Sequence, residues 1–409
     1  MSWHSKSIQL TYERFFIPKT QLGTIDMSAS TQQAPSIWIE NQTFDLLFVM
    51  GGALLTLMVP LAVIAMPALL PVFLWSWLIF FEGSHFWASF SRTYIDRDFR
   101  KRNPGFLTWS LIFFLIPIAV VLMDQSSTHI RYMEIYGFLI FVWSLYHNAR
   151  QHFGFVSIYG KKSGTSTFIQ DRYKFGLYSA VIAPQIFFLL NHKFPASFPS
   201  FPKAEMMDAG LKFLLGTAPK IASVITLLYL VSTYLKSKRE NSASSAVPLV
   251  YALVCLFFYS TMFYIIAPME PFYSAATNGP QAYMMIAVMN SLFHNIQYHA
   301  IVWHYSKKRY SRPEASTAEY GVANWVGSNF SRYGLVAVFF GGVFAWIAWH
   351  LGDWPNAFGE YTQPTMSTWA YCLFFGIIGH HFYLDQKIWR PSHQTELKDY
   401  LGLKTPSNR

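Results

Sequence analysis

An all-α bundle of about ten membrane-spanning helices, with both termini cytoplasmic, is the fold this sequence predicts, and three observations predict it. Of its 409 residues, 53% are hydrophobic and only 13% charged, against roughly 25% charged in soluble domains. The apolar residues come in runs of about twenty, which at about 1.5 Å per residue cross a hydrocarbon core of roughly 30 Å. Lysines and arginines then gather in every second loop, as expected of a polytopic transmembrane protein whose cytoplasmic loops are basic.

Taken in order, the runs are 45–66, 68–90, 106–123, 133–159, 174–190, 219–235, 247–267, 281–305, 333–351 and 367–385. Residues 1–43 precede them as a polar cytoplasmic tail, because MSWHSKSIQLTYERFF lacks a charged n-region leading into an apolar h-region and a small-residue cleavage site. The first two runs meet at Pro67 almost without a loop, so they are either two spans or one bent hairpin. Between residues 191 and 218, Pro195, Pro199 and Pro202 precede AEMMDAGLKFLL, which is either an interfacial helix or a solvent loop. Residues 44–390 form the membrane domain, and 391–409 a second cytoplasmic tail. Neither STAEY in the 306–332 loop nor the closing TPSNR shows a domain of its own.

Charge tests this division independently. The tail before the first run, the loops 91–105, 160–173, 236–246 and 306–332, and the tail after the last run are basic. The opposite side has Arg131, then Lys193, Lys203, Lys212 and Lys220 in or beside one long segment, and no lysine or arginine in 268–280 or 352–366. The alternation requires an even number of spans and suits a bacterial-type inner membrane. A net charge of +10 does not indicate nucleic acid, because the basic residues lie between apolar runs and not on one face. Cys255 and Cys372 lie inside apolar runs without CxxC spacing, so neither a disulfide nor a zinc finger follows.

The thirteen histidines carry the functional signal. His4 and His393 are in tails, and His129, His192 and His350 fall on the outer side. His85, His147, His152, His294, His299, His304, His380 and His381 lie within four spans that all run from outside to inside. Counting residues to the first cytoplasmic lysine or arginine puts His85, His152, His299 and the 380/381 pair roughly 9–13 Å below that boundary, and His147 and His294 at roughly 20 Å. A lone intramembrane histidine is usually an interhelical hydrogen bond. Eight in one leaflet point instead to a shared interior site, and imidazole is the commonest side-chain metal ligand.

Local motifs agree. YHNARQHFGFVSIYGKK at 146–162 and FHNIQYHAIVWHYSKKRY at 293–310 share HNxxxxH and a closing KK, while SHFW at 84–87 and HHFY at 380–383 share HF plus an aromatic. Either an internal duplication or convergence on a shared site would produce them. Histidines at i and i+5 point about 140° apart on an α-helix. Either a π-bulge brings the two onto one face, or they serve different ions, or one is a ligand and the other a supporting contact. Of the adjacent His380 and His381, the latter is the expected ligand, because Asp385 follows one turn later and could orient it or join the site.

The candidate ligand set is therefore His85, His147, His152, His294, His299, His304 and His381, with Glu82. Glu82 stands three residues before His85 in the ExxH spacing of di-iron carboxylate bundles, and its competing assignment is an ion pair with Arg150. Asp385, Arg150, His380, Asn148, Gln151 and Asn295 are expected to support the ligands, as is Gln297, or to join helices. Asp96 and Asp98 in FSRTYIDRDFRKR read as solvated loop charges paired with neighbouring arginines.

At the level of class, these residues resemble the histidine-rich integral-membrane iron oxygenases: membrane desaturases, alkane and sterol hydroxylases, and carotenoid-cleaving oxygenases. The resemblance rests on histidines near the cytoplasmic ends of four spans. That class uses HxxxH and HxxHH boxes, where this chain has HNARQH, HNIQYH and GHHFYLD. It implies an oxidoreductase in which two irons activate dioxygen against an aliphatic or isoprenoid substrate. Zinc is the alternative metal. A b-type haem would instead take His152 with His299, or His85 with His381, as axial ligands. A transporter or proton pathway would also place ionisable groups inside a bundle. The expected partners are the bilayer, a hydrophobic small molecule and an acidic cytoplasmic electron donor docking near Lys161 and Lys307.

Overall fold

In a computed structural model, the described residues are 36–191, 208–270, 272, 280–351, 367–391 and 394–403, and they contain helices and no strand. Ten long helices dominate. They are α1 (Gln42–Ala65), α2 (Pro67–Arg92), α3 (Pro104–Ser126), α4 (Tyr132–Lys162), α5 (Thr167–Asn191), α6 (Ala209–Glu240), α7 (Val247–Ile266), α8 (Pro280–Tyr310), α9 (Phe330–Trp349) and α10 (Thr368–Ile388). Each apolar run of the sequence lies in one of them. The N-terminal segment through Pro35, the Pro195–Pro202 stretch, His192, His393 and the closing TPSNR lie outside the described residues, as do most of 268–280 and 352–366.

Seven of the ten, α1–α3, α5–α7 and α9, are long and apolar enough to cross a membrane. The other three, α4, α8 and α10, carry seven of the buried or half-buried histidines, and those polar residues are what lower their apolarity. Their neighbours show the lipid-facing pattern. Leu115, Ile118 and Leu122 of α3, Val224, Leu228 and Leu235 of α6, and Leu335, Phe339 and Trp346 of α9 are exposed large hydrophobics at helical spacing.

Helix ends follow local chemistry. The Asp208 carboxylate accepts the Leu211 N–H at 2.8 Å, and Asn329 accepts that of Arg332 at 3.0 Å, each covering an orphan donor at a helix start. Asp208 thereby opens α6, so the Ala209–Leu215 part of AEMMDAGLKFLL is the first turns of a long helix and not a separate interfacial one. Pro67 and Pro104 stand at first helical positions, where a missing N–H costs nothing. The chain breaks at Met66, whose backbone is not helical, so α1 and α2 are two helices of 24 and 26 residues and not one bent element.

Four helices form a ring: α2 packs on α8, α8 on α4, α4 on α10, and α10 on α2. Around it α1 covers α8, α9 covers α2, α3 covers α10, and α5 covers α4. The α2–α9 crossing is unusually close. A Cβ on Gly83 would meet the Gly341 Cα at 2.7 Å, and one on Gly341 would fall on the Ile79 carbonyl oxygen, so only glycine fits. Ile79 belongs to a π-helical turn, Leu78–Glu82, that ends three residues before His85.

At the lysine-rich end the loops are tied down. Arg309 Nε reaches Asp96 Oδ2 at 3.0 Å, its Nη2 reaches Asp98 at 2.5 Å, and its Nη1 pairs with Glu396 of the short helix Thr395–Tyr400. Asp96 also accepts from the Tyr310 hydroxyl at 2.8 Å and from the Phe99 N–H at 3.0 Å. The reading of Asp96 as a solvated loop charge is thus corrected: it is buried, and its partner lies 213 residues away. Leu397 and Leu401 are buried beside this network, and Ile39 is buried near Asp45.

Candidate metal centre

The ring of four helices points one histidine each into its axis: His85 from α2, His294 from α8, His147 from α4 and His381 from α10. All four are buried, and one ring nitrogen from each lies within 4.8 Å of the others. Imidazole centroids follow the helix order around the ring. They are 4.8 Å apart for His85 and His294, 4.9 Å for His294 and His147, 5.2 Å for His147 and His381, and 4.2 Å for His381 and His85. His85 Nε2 and His294 Nε2 are 3.2 Å apart. Two nitrogens about 2.1 Å from one ion stand about 3.0–3.4 Å apart at neighbouring positions, so this spacing suits ligands of a single ion.

Bonding state makes the stronger case. His85 Nδ1, His147 Nε2, His294 Nδ1 and His381 Nε2 are buried without a hydrogen-bond partner among the described residues. At His147 and His381 the unpartnered nitrogen is the one turned toward Asp385 Oδ2, and at His85 and His294 the Nε2 atoms meet each other, so each ring keeps a nitrogen in the group that no hydrogen-bonding side chain outside it claims among the described residues. Asp385 adds a carboxylate. Its Oδ1 takes hydrogen bonds from Ser89 at 2.7 Å and Tyr298 at 2.6 Å. Its Oδ2 faces His381 Nε2 at 3.6 Å and His147 Nε2 at 4.0 Å, gaps that an ion held between them would span.

Ser89 also fixes a tautomer. Its single proton goes to Asp385, so at 2.8 Å from His381 Nδ1 its oxygen must accept, which leaves the His381 lone pair on Nε2, toward the centre. Further hydrogen bonds hold the helices in register: Gln151 donates to the His294 carbonyl at 2.9 Å and Asn148 to the Asn290 carbonyl at 2.7 Å. Gln297 donates to the Val49 carbonyl at 2.7 Å, binding α8 to α1. Sequence reading missed Ser89 and Tyr298, although a signal exists. Ser89, Gln151, Tyr298 and Asp385 each stand four residues after one of the four histidines, on the same helical face.

The remaining candidates sit elsewhere. His152 has both ring nitrogens engaged, by the Tyr251 hydroxyl at 2.8 Å and the Tyr259 hydroxyl at 2.9 Å. His299 lies 3.0 Å from Ser84 Oγ, His304 donates through Nε2 to the Tyr400 carbonyl at 3.0 Å with Glu40 2.5 Å from its Nδ1, and His380 meets Tyr94 and Ser110 at 3.1 Å each. Glu82 accepts from Ser291 at 2.9 Å and Asn295 at 2.7 Å, and Arg150 donates to Tyr146 at 3.1 Å, so neither the Glu82 ligand nor the Glu82–Arg150 pair is formed. No π-bulge joins the HNxxxxH pairs either: α4 and α8 are regular α-helix through both, and the two histidines of each motif serve different settings.

The expected layers therefore change membership. His147 and His294 join His85 and His381, while His152 and His299 do not. For His85 the physical reason lies in the ruler: its depth was counted from Arg92, but Arg92 is buried, its guanidinium between Trp389 at 3.9 Å and Tyr305 at 4.0 Å, and it marks no membrane boundary. A haem fits poorly as well. Axial imidazoles must lie on opposite faces of a macrocycle, whereas the His85 and His381 rings are in direct contact and His152 is occupied by tyrosines.

A cavity of about 320 Å³ adjoins the group, with His147, Asp385 and Tyr298 at its inner end. Its wall continues along α4 through Arg150, Phe153 and Ile158 to Lys161, near the lysine-rich end. Lys307 does not line it. The centre thus combines four nitrogen donors, a carboxylate oxygen and access on the His147–Asp385 side. No protein-family model, curated protein or solved structure matches the chain.

Proposed function

We propose that this is an integral-membrane, metal-dependent oxidoreductase of the iron oxygenase, hydroxylase or desaturase type, acting on a lipid-like substrate that reaches the four histidines through the adjoining cavity. The observation that carries the reading is the convergence of four buried imidazoles, one ring nitrogen of each within 4.8 Å of the others, beside a carboxylate. All ten long helices would cross the bilayer, an inner membrane of bacterial type, with both termini and the lysine-rich end on the cytoplasmic side.

His85, His147, His294 and His381 hold the ion, and Asp385 Oδ2 completes the donor set. Five donors around one point support one ion over two, since Glu82 is turned to Ser291 and Asn295. Nitrogen and oxygen donors without thiolate suit iron, zinc and other first-row metals. Bound iron would supply one-electron chemistry and dioxygen activation. Ser89 and Tyr298 fix the carboxylate and the His381 tautomer, so the donors need little rearrangement. Phe86 and Phe382 pack against His381 and His147 and keep the group dry. Lys161 at the cavity mouth and Lys307 beyond it offer an acidic electron donor a docking face.

The test is metal analysis of detergent-purified protein, followed by lipid mass spectrometry of cells expressing it or the His147→Ala, His381→Ala variant. Stoichiometric iron and a lipid product that gains oxygen or loses hydrogen only with the intact site support the reading. Zinc in place of iron would end the oxidoreductase assignment and leave the metal site. Full-length, folded protein that takes up no metal would end both.

A further inference from the structure

We infer that Tyr298, Trp389 and Tyr305 form a redox path between the four histidines and the lysine-rich end, with Tyr298 as a redox-active tyrosine that hands electrons to the centre singly. This rests on the proposed oxidoreductase reading, and it names the route by which the electron donor of that reading serves a buried site.

The argument begins with rings that meet the imidazoles. The Tyr298 centroid lies 4.6 Å from that of His85 and 5.8 Å from that of His381. Trp389 follows at 6.0 Å from Tyr298, Tyr305 at 6.2 Å from Trp389, and Tyr400 at 5.4 Å from Tyr305. Each step is the spacing of aromatic rings in contact. A branch runs from Tyr305 to Tyr310 at 6.5 Å and on to Tyr320 at 5.4 Å. Tyr298 and Tyr305 are seven residues apart on α8, so the path covers about 10 Å along the helix between them. Lys307, two residues beyond Tyr305, is exposed.

Residue type carries the argument further. Tyrosine and tryptophan undergo one-electron oxidation, whereas phenylalanine resists it. The chain has 38 phenylalanines, as many as its 24 tyrosines and 14 tryptophans together, yet none stands in this path. Phenylalanine does pack on the group elsewhere, as Phe86 on His381 and Phe382 on His147. An interfacial aromatic belt does not account for the path, because belt rings face lipid and headgroups. Tyr298, Tyr305, Tyr310, Tyr320 and Tyr400 are buried, and Trp389 is half-buried.

Hydrogen bonds place the radical. The Tyr298 hydroxyl donates to Asp385 Oδ1 at 2.6 Å, and Trp389 Nε1–H donates to the Tyr298 oxygen at 3.3 Å. A phenol gives up an electron readily only when its proton has an acceptor, and Asp385 is one. Arg92, buried between the Trp389 and Tyr305 faces and donating to Gln394 at 3.1 Å, holds those two rings by cation–π contact. Its charge disfavours a lasting cation on either ring, so the oxidised state comes to rest on Tyr298. A bound redox metal supplies the oxidising equivalent. Tyr298 then loses one electron to the centre and its phenolic proton to Asp385. One electron from a one-electron protein donor at the lysine-rich end crosses Tyr305 and Trp389 to Tyr298, and the proton returns from Asp385. Per cycle the donor is oxidised by one electron, the centre is reduced by one, and the Tyr298 O–H bond is broken and remade.

The experiment places a photo-oxidant at the outer end of the path. Full-length protein in nanodiscs carries Lys308→Cys, at an exposed position three residues past Tyr305, labelled with a ruthenium polypyridyl complex. Cys372→Ser removes the half-buried thiol, and Cys255 is buried. A flash with an external electron acceptor oxidises the ruthenium, which draws an electron from the nearest ring, and EPR follows the tyrosyl radical. Tyr298→Phe identifies the Tyr298 share of the signal, and metal content is measured on the same preparation. With the path intact the radical should reach Tyr298. Trp389→Phe or Tyr305→Phe should lower the Tyr298 signal about 10-fold or more, as a modest rise in one barrier does. An unchanged Tyr298 signal in both variants, each folded, overturns the inference, and so does a radical that stays at the outer tyrosines when the path is intact. Iron in a protein without transfer to Tyr298 ends this inference and leaves the oxidoreductase reading intact. Transfer to Tyr298 in folded protein that takes up zinc or no metal supports the path and ends the oxidoreductase reading.

Discussion

His147 and His152 stand five residues apart on α4, both buried, both part of one HNxxxxH motif, and they illustrate opposite uses of imidazole. His152 is closed: tyrosine hydroxyls occupy both ring nitrogens, and Cys255 Sγ lies 3.6 Å from one of them. His147 is open, its Nε2 facing three other imidazoles and the Asp385 carboxylate without a hydrogen bond. The same division separates His294 from His299 on α8. Residue type is shared across each pair, and burial across the first, so neither marks a ligand. What distinguishes the two is whether neighbouring side chains already satisfy the ring.

The largest effect expected from this contrast is on metal content. Alanine at His147 or His381 should abolish stoichiometric metal, whereas phenylalanine at His152 or His299 should retain it, as measured by elemental analysis of purified protein. Equal loss in all four variants, each still folded, would erase the distinction between open and closed histidines.

A second comparison sets the open group against the Arg309 network, in which a buried guanidinium is matched by Asp96, Asp98 and Glu396. Removing one member of a matched buried pair leaves an uncompensated charge and costs about 3–5 kcal/mol. Arg309→Met should therefore lower thermal stability sharply without removing the metal directly. Asp96→Asn on its own should destabilise less, because its Oδ1 still accepts from the Phe99 N–H, its amide can donate to the Tyr310 hydroxyl, and Arg309 keeps Asp98 and Glu396. If Arg309→Met melts like the unaltered protein, the network is peripheral and the tie between the loops and the C-terminal helix is not structural.

These contrasts also explain what could be read in the sequence. The ten helices were legible because an apolar run of about twenty residues has few ways to exist other than as a long helix. That the histidines formed a group was legible too, from their recurrence near one end of several helices. Which histidine of each motif belongs to the group was not, because positions five apart face different ways and helix rotation is set by packing. The rotation here follows from contacts such as Gly83 against Gly341, separated by 258 positions in the chain. Depth misled at His85 for a local reason: Arg92 was counted as a boundary, yet two aromatic rings bury it. Glu82 misled through spacing, since ExxH puts a carboxylate on the right face but cannot say that Ser291 and Asn295 will claim it.

Asp385 offers a finer test of the open group. The Asp385→Asn amide can still accept from Ser89 and Tyr298, so the packing survives, but the charge facing His147 and His381 is gone. Metal affinity should fall about 10- to 100-fold, the range seen when a supporting carboxylate is altered. Ser89→Ala should reduce it less, because Tyr298 continues to hold Asp385. An unchanged affinity in Asp385→Asn would confine the donor set to the four imidazoles.

The smallest effect is expected at the closed site, where His152→Phe removes a ring that bridges two tyrosines. Tyr251 keeps a hydrogen bond from Gln297 at 2.8 Å, but Tyr259 loses the partner recorded for its hydroxyl. One buried hydroxyl left unsatisfied costs about 1–3 kcal/mol, so the melting temperature should fall modestly while metal content stays constant. Adding Tyr259→Phe should then recover part of the loss, since removing both partners of a buried hydrogen bond costs less than removing one. A double variant less stable than the single one would show that Tyr259 acts through its packing against Phe258 and Phe263 and not through the imidazole. Loss of metal from a well-folded His152→Phe protein would be the more serious result, because it would move the closed histidine into the centre and undo the criterion that separates it from His147.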